Sequence, residues 1–193
     1  ACAMYPADSL FIENVKEEVR QHAAKVSGHP SLALWCGNNE SDVAWKNWGW
    51  QKQYNYSKTD SVKIWNDYKK LFHEILPAIV KQNDLTTAYW PSSPSIGWGR
   101  KESLKKGDSH YWGIWWGKEP FENYEKKVGR FMSEYGFQSL PDTKTLKSIS
   151  NSADLNSPEI KNHQKHATGF ETITEYMKRD FTVPKETEKF IYV

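Results

Sequence analysis

Apolar residues first recur at helical spacing. Leu10, Phe11, Val15, Val19, Ala23 and Val26 form one face of a helix that Asp8-Ser9 caps and that Gly28 and Pro30 end. Ser31–Cys36 then changes to a short apolar run, the pattern of a buried strand, and Gly37–Glu40 is the loop that leaves it. Glu40–Trp48 fits a short helix or irregular backbone, and residues 49–58 form a polar, aromatic insertion, a lid or wall of a cleft. Val62, Trp65, Tyr68, Leu71, Phe72 and Ile75 mark a second helix from about Thr59 to Gln82, which Pro77 either kinks or divides. Thr86–Trp90, His110–Trp116 and Gly129–Glu134 are further strands. Between them lie the extended loop 91–95, a basic glycine-containing loop over 96–108 and a helical turn at Phe121–Lys127. Residues 141–167 are polar without a strong period, Thr168–Asp180 is a helix, and Pro184 starts the last one. Short strands alternating with helices predict an α/β fold with a parallel sheet and right-handed crossovers.

At 193 residues the chain is one domain's worth, enough to bury a core. Its 26 Lys and Arg and 24 Asp and Glu are interspersed and leave a formal charge of +2, so a nucleic-acid partner is not expected. No apolar run approaches the ~18 residues of a membrane span, and no signal peptide is visible; the compartment stays open. Cys2 and Cys36 make no metal or redox motif, and since both fall in predicted strands they are expected as two buried thiols. No metal or other cofactor is expected. His163 and His166 lack a Cys or acidic partner at metal spacing, and His29, ahead of a strand, is expected to be structural.

Aromatic content changes the picture. Phe, Trp and Tyr make up 15% of the chain, with ten Trp. Trp45, Trp48, Trp50, Trp90, Trp98, Trp112, Trp115 and Trp116 fall at strand ends and in loops, where a core does not need them. Flat rings suit the C–H-rich faces of sugars, and the indole N–H adds a directional donor. Packing explains any one of them; the set points to a carbohydrate cleft.

Two glutamates sit where predicted strands end: Glu40 in Leu34-Trp35-Cys36-Gly37-Asn38-Asn39-Glu40 and Glu134 in Phe131-Met132-Ser133-Glu134-Tyr135-Gly136-Phe137. Strand C-termini are where a parallel α/β barrel does chemistry, and two carboxyls are what a glycosidase needs. The strings Trp35-Cys36-Gly37-Asn38-Asn39-Glu40 and Ser133-Glu134-Tyr135-Gly136 resemble the acid/base and nucleophile segments of glycoside hydrolase family 2. The paired asparagines after Gly37 point to its β-mannosidase branch, and the resemblance runs over essentially the whole chain.

The resemblance implies a partial (β/α)8 TIM barrel, residues 1–193 supplying roughly the end of strand 3 through helix 7, without the remaining strands or the accessory β-domains. It implies retaining cleavage of terminal β-mannose, with Glu40 as acid/base and Glu134 as nucleophile. Alternatives are another family-2 exo-β-glycosidase (β-galactosidase, β-glucuronidase or exo-β-glucosaminidase) or a non-catalytic carbohydrate-binding module. Asn39 is the candidate for the sugar 2-hydroxyl, and Trp90, Trp98, Trp115 and Trp116 for stacking. Tyr111, also a substrate-binding candidate, and His110 are candidate donors to Glu134, and Asn38 is either a turn residue or an aid to epimer choice. Ser92, Ser93 and Ser95 read as loop residues. A piece of a barrel would be inactive or nearly so alone, and would either pair with another copy of itself through its open sheet edges or cover those edges with its own loops. The family alone suggests an extracytoplasmic site: periplasmic, secreted or lysosomal.

Overall fold

The computed structural model describes residues 4–193. Cys2 lies outside them; of the strand end expected over Ala1–Pro6, only Met4–Pro6 are described, and these are irregular rather than strand. The chain divides into two compact units: the part up to His110 with Lys127–Glu134, and Tyr111–Lys126 with Tyr135–Val193.

In the first unit, helix α1 (Ser9–Val26) starts where Asp8 accepts the Phe11 N–H at 2.9 Å. Its apolar face packs on a helical rod made of α4 (Lys58–Lys69), a π-helical turn (Lys70–Ile75) and α5 (Leu76–Val80). Pro77 explains the wide turn. It has no N–H for the His73 carbonyl and its ring would press on that oxygen, so the bonds before it lengthen to the Leu76-to-Leu71 pattern. The helical backbone therefore runs on through Pro77 and is not split there. Ile12, Tyr68, Leu71, Phe72 and Leu76 are buried at the contact, each apolar side chain worth about 1.5–3 kcal/mol in burial. Two short helices precede the rod: α2 (Ser41–Asn47) and α3 (Trp50–Gln53).

Strands β1 (Trp35–Cys36) and β2 (Tyr89–Trp90) pair in parallel, Trp35 opposite Tyr89 and Cys36 opposite Trp90, as the alternation requires. Both are shorter than expected. The beginning of the Ser31–Cys36 run is spent in a turn, where the Leu32 N–H returns to the His29 carbonyl at 3.0 Å. The pairing then continues beyond the strands proper. Gly37 N–H bonds Trp90 O at 2.9 Å, Ser93 N–H bonds Asn38 O at 2.9 Å and Glu40 N–H bonds Ser93 O at 2.7 Å. Two loops are thus held side by side. The same pair is tied at its other end by Asp84, which accepts from the Trp35 indole at 3.0 Å and from Thr86 and Thr87. Bonds from Thr87, Trp35 and Thr86 hold its carboxyl well below the usual carboxylate range. Cys36 is exposed, correcting the buried thiol expected for it: β1 has one partner strand among the described residues, so the thiol is only partly covered.

Strands β3 (Ser109–Tyr111) and β4 (Met132–Tyr135) form a second two-stranded sheet, with Ser109 N–H on Phe131 O at 2.8 Å. The expected strand His110–Trp116 stops at Tyr111 because the chain turns. A Cβ on Gly113 would meet the Tyr111 ring, and Trp115 takes a left-handed φ of +78°. Gly129–Glu134 likewise begins its strand late, after a turn in which Gly129 N–H reaches Met132 Sδ at 3.1 Å. The fold is mixed α/β, and the described residues contain no closed barrel.

The second unit is mainly helical: α6 (Asn123–Lys126), α7 (Thr143–Ile149), α8 (Pro158–His163), α9 (Gly169–Asp180) and α10 (Thr187–Tyr192). Helices α7 and α8 lie where the pattern shows no period. Their signal is the caps: Asp142 accepts the Thr145 N–H at 2.8 Å, and Ser157 accepts that of Ile160 at 3.2 Å ahead of Pro158. The last helix starts at Thr187, after Glu186, and not at Pro184. Leu146, Ala153 and Ile160 form one core cluster. Tyr176 centres another, donating to Glu119 O at 2.7 Å and packed by Phe121 and Phe137.

Candidate active site

Every group of the site lies in the first unit. Gly37 sets its loop: a Cβ there would stand 2.5 Å from Tyr89 Oη and 2.6 Å from Pro91 O, so only glycine lets the β1 segment lie this close. Asn38 is buried and spent on structure. Its amide donates to Tyr68 Oη and Pro91 O, both at 2.9 Å, while its Oδ1 accepts from Ser92 Oγ at 2.8 Å and Ser41 N–H at 3.1 Å. Tyr68 in turn donates to Asp42 at 2.5 Å. Burial and the adjoining carboxylate push the Tyr68 phenol well above its usual range, so it stays a donor. Replacing Gly37 by Ala is expected to cost about 1–3 kcal/mol and to lower activity through displacement of this loop. Thermal unfolding beside a rate measurement checks it; an unchanged melting temperature would show the approach is not tight.

Asn38, not Glu40, therefore serves the start of α2. Glu40 precedes that helix but makes no side-chain cap bond, and it adopts φ +58°, a left-handed conformation costing a non-glycine residue roughly 1–2 kcal/mol. Its carboxylate turns to β3 instead. His110 Nδ1 stands 2.9 Å from Glu40 Oε1 and 3.4 Å from Glu134 Oε2. The His110 side chain is only 2% exposed, against 16% for Glu40 and 32% for Glu134. The two carboxylate oxygens and the ring nitrogen all lie within 4.8 Å of one another. Two strand-end acids thus converge on one buried imidazole. This is the one cluster among the described residues with the make-up of a cation site. The 2.9 Å contact is a direct hydrogen bond, however; ligand atoms at ~2 Å around a tetrahedral ion are about 3.3 Å apart.

Behind His110 lies a polar chain that the sequence reading leaves as loop. His110 Nε2 is 2.9 Å from Ser93 Oγ, and Ser93 Oγ donates to Asp108 Oδ2. Asp108, 1% exposed, also accepts from Ser133 Oγ at 2.7 Å and from Ser95 N–H at 3.2 Å. The available signal was the alternation Asp108-Ser109-His110, which places the acid and the imidazole on one face entering a strand.

The remaining candidates separate. Asn39 is half-buried and bridges Ser93 in the paired loops. Trp90 in β2 is half-buried and Trp98 is 40% exposed. In the second unit Trp116 is 60% exposed and tilts against His166. Trp115 is 4% exposed and enclosed by Phe137 and His166, the setting of a core residue. Tyr111 is also buried and gives its hydroxyl to Glu119.

No protein-family model matches the chain. The rat (Rattus norvegicus) β-mannosidase is 30% identical over 200 residues, covering 97% of this chain and 22% of that protein. β-Mannosidase B of Thermothelomyces thermophilus is 31% identical over 153 residues, covering 75% of this chain and 17% of its own. The crystal structure of the β-D-mannosidase of Dictyoglomus thermophilum superposes with a TM-score of 0.75 at 32% identity, covering 99% of this chain and 23% of that one. A mixed α/β fold with paired acidic side chains at strand ends, together with these likenesses, makes this a chain of the glycoside hydrolase class. It belongs to glycoside hydrolase family 2 and is β-mannosidase-like. It spans about a fifth of the length of the curated relatives it matches.

Proposed function

We propose that this chain carries the two catalytic carboxylates of a retaining β-mannosidase and forms part of a (β/α)8 barrel, residues 1–193 supplying roughly the end of strand 3 through helix 7. The observation that carries the reading is the approach of Glu40 and Glu134, whose nearest oxygens lie within 4.8 Å across His110. Retaining glycosidases hold their carboxyls about 5–5.5 Å apart, whereas inverting ones leave about 6.5–9.5 Å for a water.

Glu134 then attacks the anomeric carbon while Glu40 protonates the departing oxygen, giving a mannosyl ester on Glu134. Water attacks that ester with Glu40 as base, and the configuration is retained. His110 stands between the two acids, its Nδ1 facing Glu40 at 2.9 Å and Glu134 at 3.4 Å. Asn39 lies beside Glu40 on the paired loops, placed to bond the axial 2-hydroxyl of mannose, a contact that strengthens as the oxocarbenium-like transition state forms. Trp98, 40% exposed, and Trp90, half-buried, both in the same unit, are the stacking residues there. The substrates are glycans or oligosaccharides ending in β-mannose.

A panel of p-nitrophenyl β-glycosides on the enzyme carrying this chain tests the specificity. The mannoside is expected to exceed the glucoside and galactoside in kcat/KM by at least about tenfold, an energy difference of about 1.4 kcal/mol. Preference for an equatorial 2-hydroxyl would remove the mannoside assignment and leave another family-2 glycosidase.

A further inference from the structure

Proton accounting along the buried chain determines which nitrogen of His110 carries hydrogen. Ser93 has one hydroxyl hydrogen, and it goes to Asp108. The 2.9 Å contact between Ser93 Oγ and His110 Nε2 is therefore a bond only if Nε2–H donates. A neutral His110 of that tautomer presents a bare lone pair at Nδ1. That lone pair faces Glu40 Oε1 at 2.9 Å and Glu134 Oε2 at 3.4 Å. Two acceptors do not sit at 2.9 Å without a hydrogen between them. One labile proton thus belongs to the Glu40–His110 pair, either on Glu40 as the acid donating to Nδ1 or on Nδ1 as imidazolium.

We propose that Asp108, acting through Ser93, is a positioning residue that fixes the Nε2–H tautomer of His110 and thereby keeps a deliverable proton on the Glu40–His110 pair. The inference rests on Glu40 acting as the acid. In the opposite tautomer a neutral His110 would donate Nδ1–H to an ionised Glu40. That contact would be satisfied with no proton left for the leaving oxygen. In the step itself the proton passes from Glu40 to the glycosidic oxygen as the C–O bond breaks and its electron pair goes to that oxygen; Glu40 is left as carboxylate. Water later returns a proton to Glu40 when it opens the ester, so the cycle needs no other reactant.

The titratable groups facing this chain are Glu40 from the loop after β1, Glu134 from β4, Asp108 just ahead of β3 and Cys36 from β1. Desolvation, then the Asp108 charge, pushes the Cys36 thiol up, so it stays neutral and adds no charge.

Asp108→Asn reverses the polarity of the chain with little change of shape. The Ser95 N–H holds the amide oxygen at the Oδ1 position, which puts the NH2 group where Oδ2 accepted from Ser93 and Ser133. The Asn NH2 then donates to Ser93 Oγ, Ser93 donates to His110 Nε2, and Nδ1 acquires the hydrogen. The experiment is a pH profile of kcat/KM for the enzyme carrying this chain, with a β-mannosyl disaccharide and with dinitrophenyl β-mannoside. Asp108→Asn is expected to move the alkaline limb down by at least about one pH unit and to cut the disaccharide rate near neutrality by about 10²-fold or more. The activated aryl substrate should lose less than about fivefold. Ser93→Ala, which cuts the chain without reversing it, should shift the limb in the same direction and by less. It carries the test if Asp108→Asn does not fold. Nitrogen-15 shifts of the His110 ring read the tautomer without any substrate: Nε2–H in the wild type above the limb, Nδ1–H in Asp108→Asn. An unmoved limb with equal losses on both substrates, or an unchanged tautomer, overturns the proposal. A wild type that cleaves no β-mannoside overturns the functional reading instead, and the tautomer measurement still decides this one.

Discussion

Replacing Glu134 by Gln is expected to lower turnover by about 10³-fold or more, because an amide of the same shape keeps its place beside His110 but cannot bond to the anomeric carbon. The loss should appear in kcat/KM for good and poor leaving groups alike, since the nucleophile is needed in every glycosylation. Glu134→Gly opens a space of carboxylate size at the same point. Azide entering there should restore activity and yield the α-mannosyl azide, an inverted product formed in one displacement. Rescue with retention would contradict the assignment, since it would require a second nucleophile that Glu134 had not been supplying.

The second large effect concerns Glu40. Glu40→Ala should reduce kcat/KM for a disaccharide by about 10²–10⁴-fold while changing that for dinitrophenyl β-mannoside far less. A dinitrophenolate leaves without help; a sugar alkoxide needs the full proton. With the activated substrate the mannosyl ester should accumulate, because the base of the second step has gone too. The strained backbone adds a thermodynamic signature. At φ +58° alanine keeps the left-handed cost and glycine does not, so Glu40→Gly is expected to be more stable than Glu40→Ala by about 1 kcal/mol. Equal losses on the two substrates would show that Glu40 is not the acid.

How much of this is legible in the sequence depends on what determines each feature. The two glutamates stand in distinctive strings, and the structure brings them together with His110, which the sequence reading names only as a donor near Glu134. Ser93 and Asp108 were not legible as functional. Ser93 looks like one of several loop serines, and its place is set by backbone pairing with Asn38 and Glu40, more than fifty residues earlier. Helix α1 has both a cap and an apolar face and is read correctly from either. Helices α7 and α8 have only caps, so a search for periodicity passes over them. The hydrophobic pattern makes the strands look longer than they are, because an apolar run continues through a turn without changing its composition, as at Gly113–Trp115. The tryptophans show the limit of residue type most plainly. Trp115 and Trp116 are adjacent, yet one is 4% and the other 60% exposed, and no local pattern separates a packing ring from an open one.

The central claim, that Glu134 is the nucleophile of a retaining mannosidase with Glu40 as its proton partner, is tested most directly by trapping. Incubation of the enzyme carrying this chain with an activated 2-deoxy-2-fluoro-β-mannoside should slow the second step enough for the ester to persist. Mass spectrometry should then find one fluoromannosyl group per protein, on the peptide containing Ser133-Glu134-Tyr135. A label on any other residue, or rapid turnover with α-mannose as the first product and no labelled protein, would contradict the account.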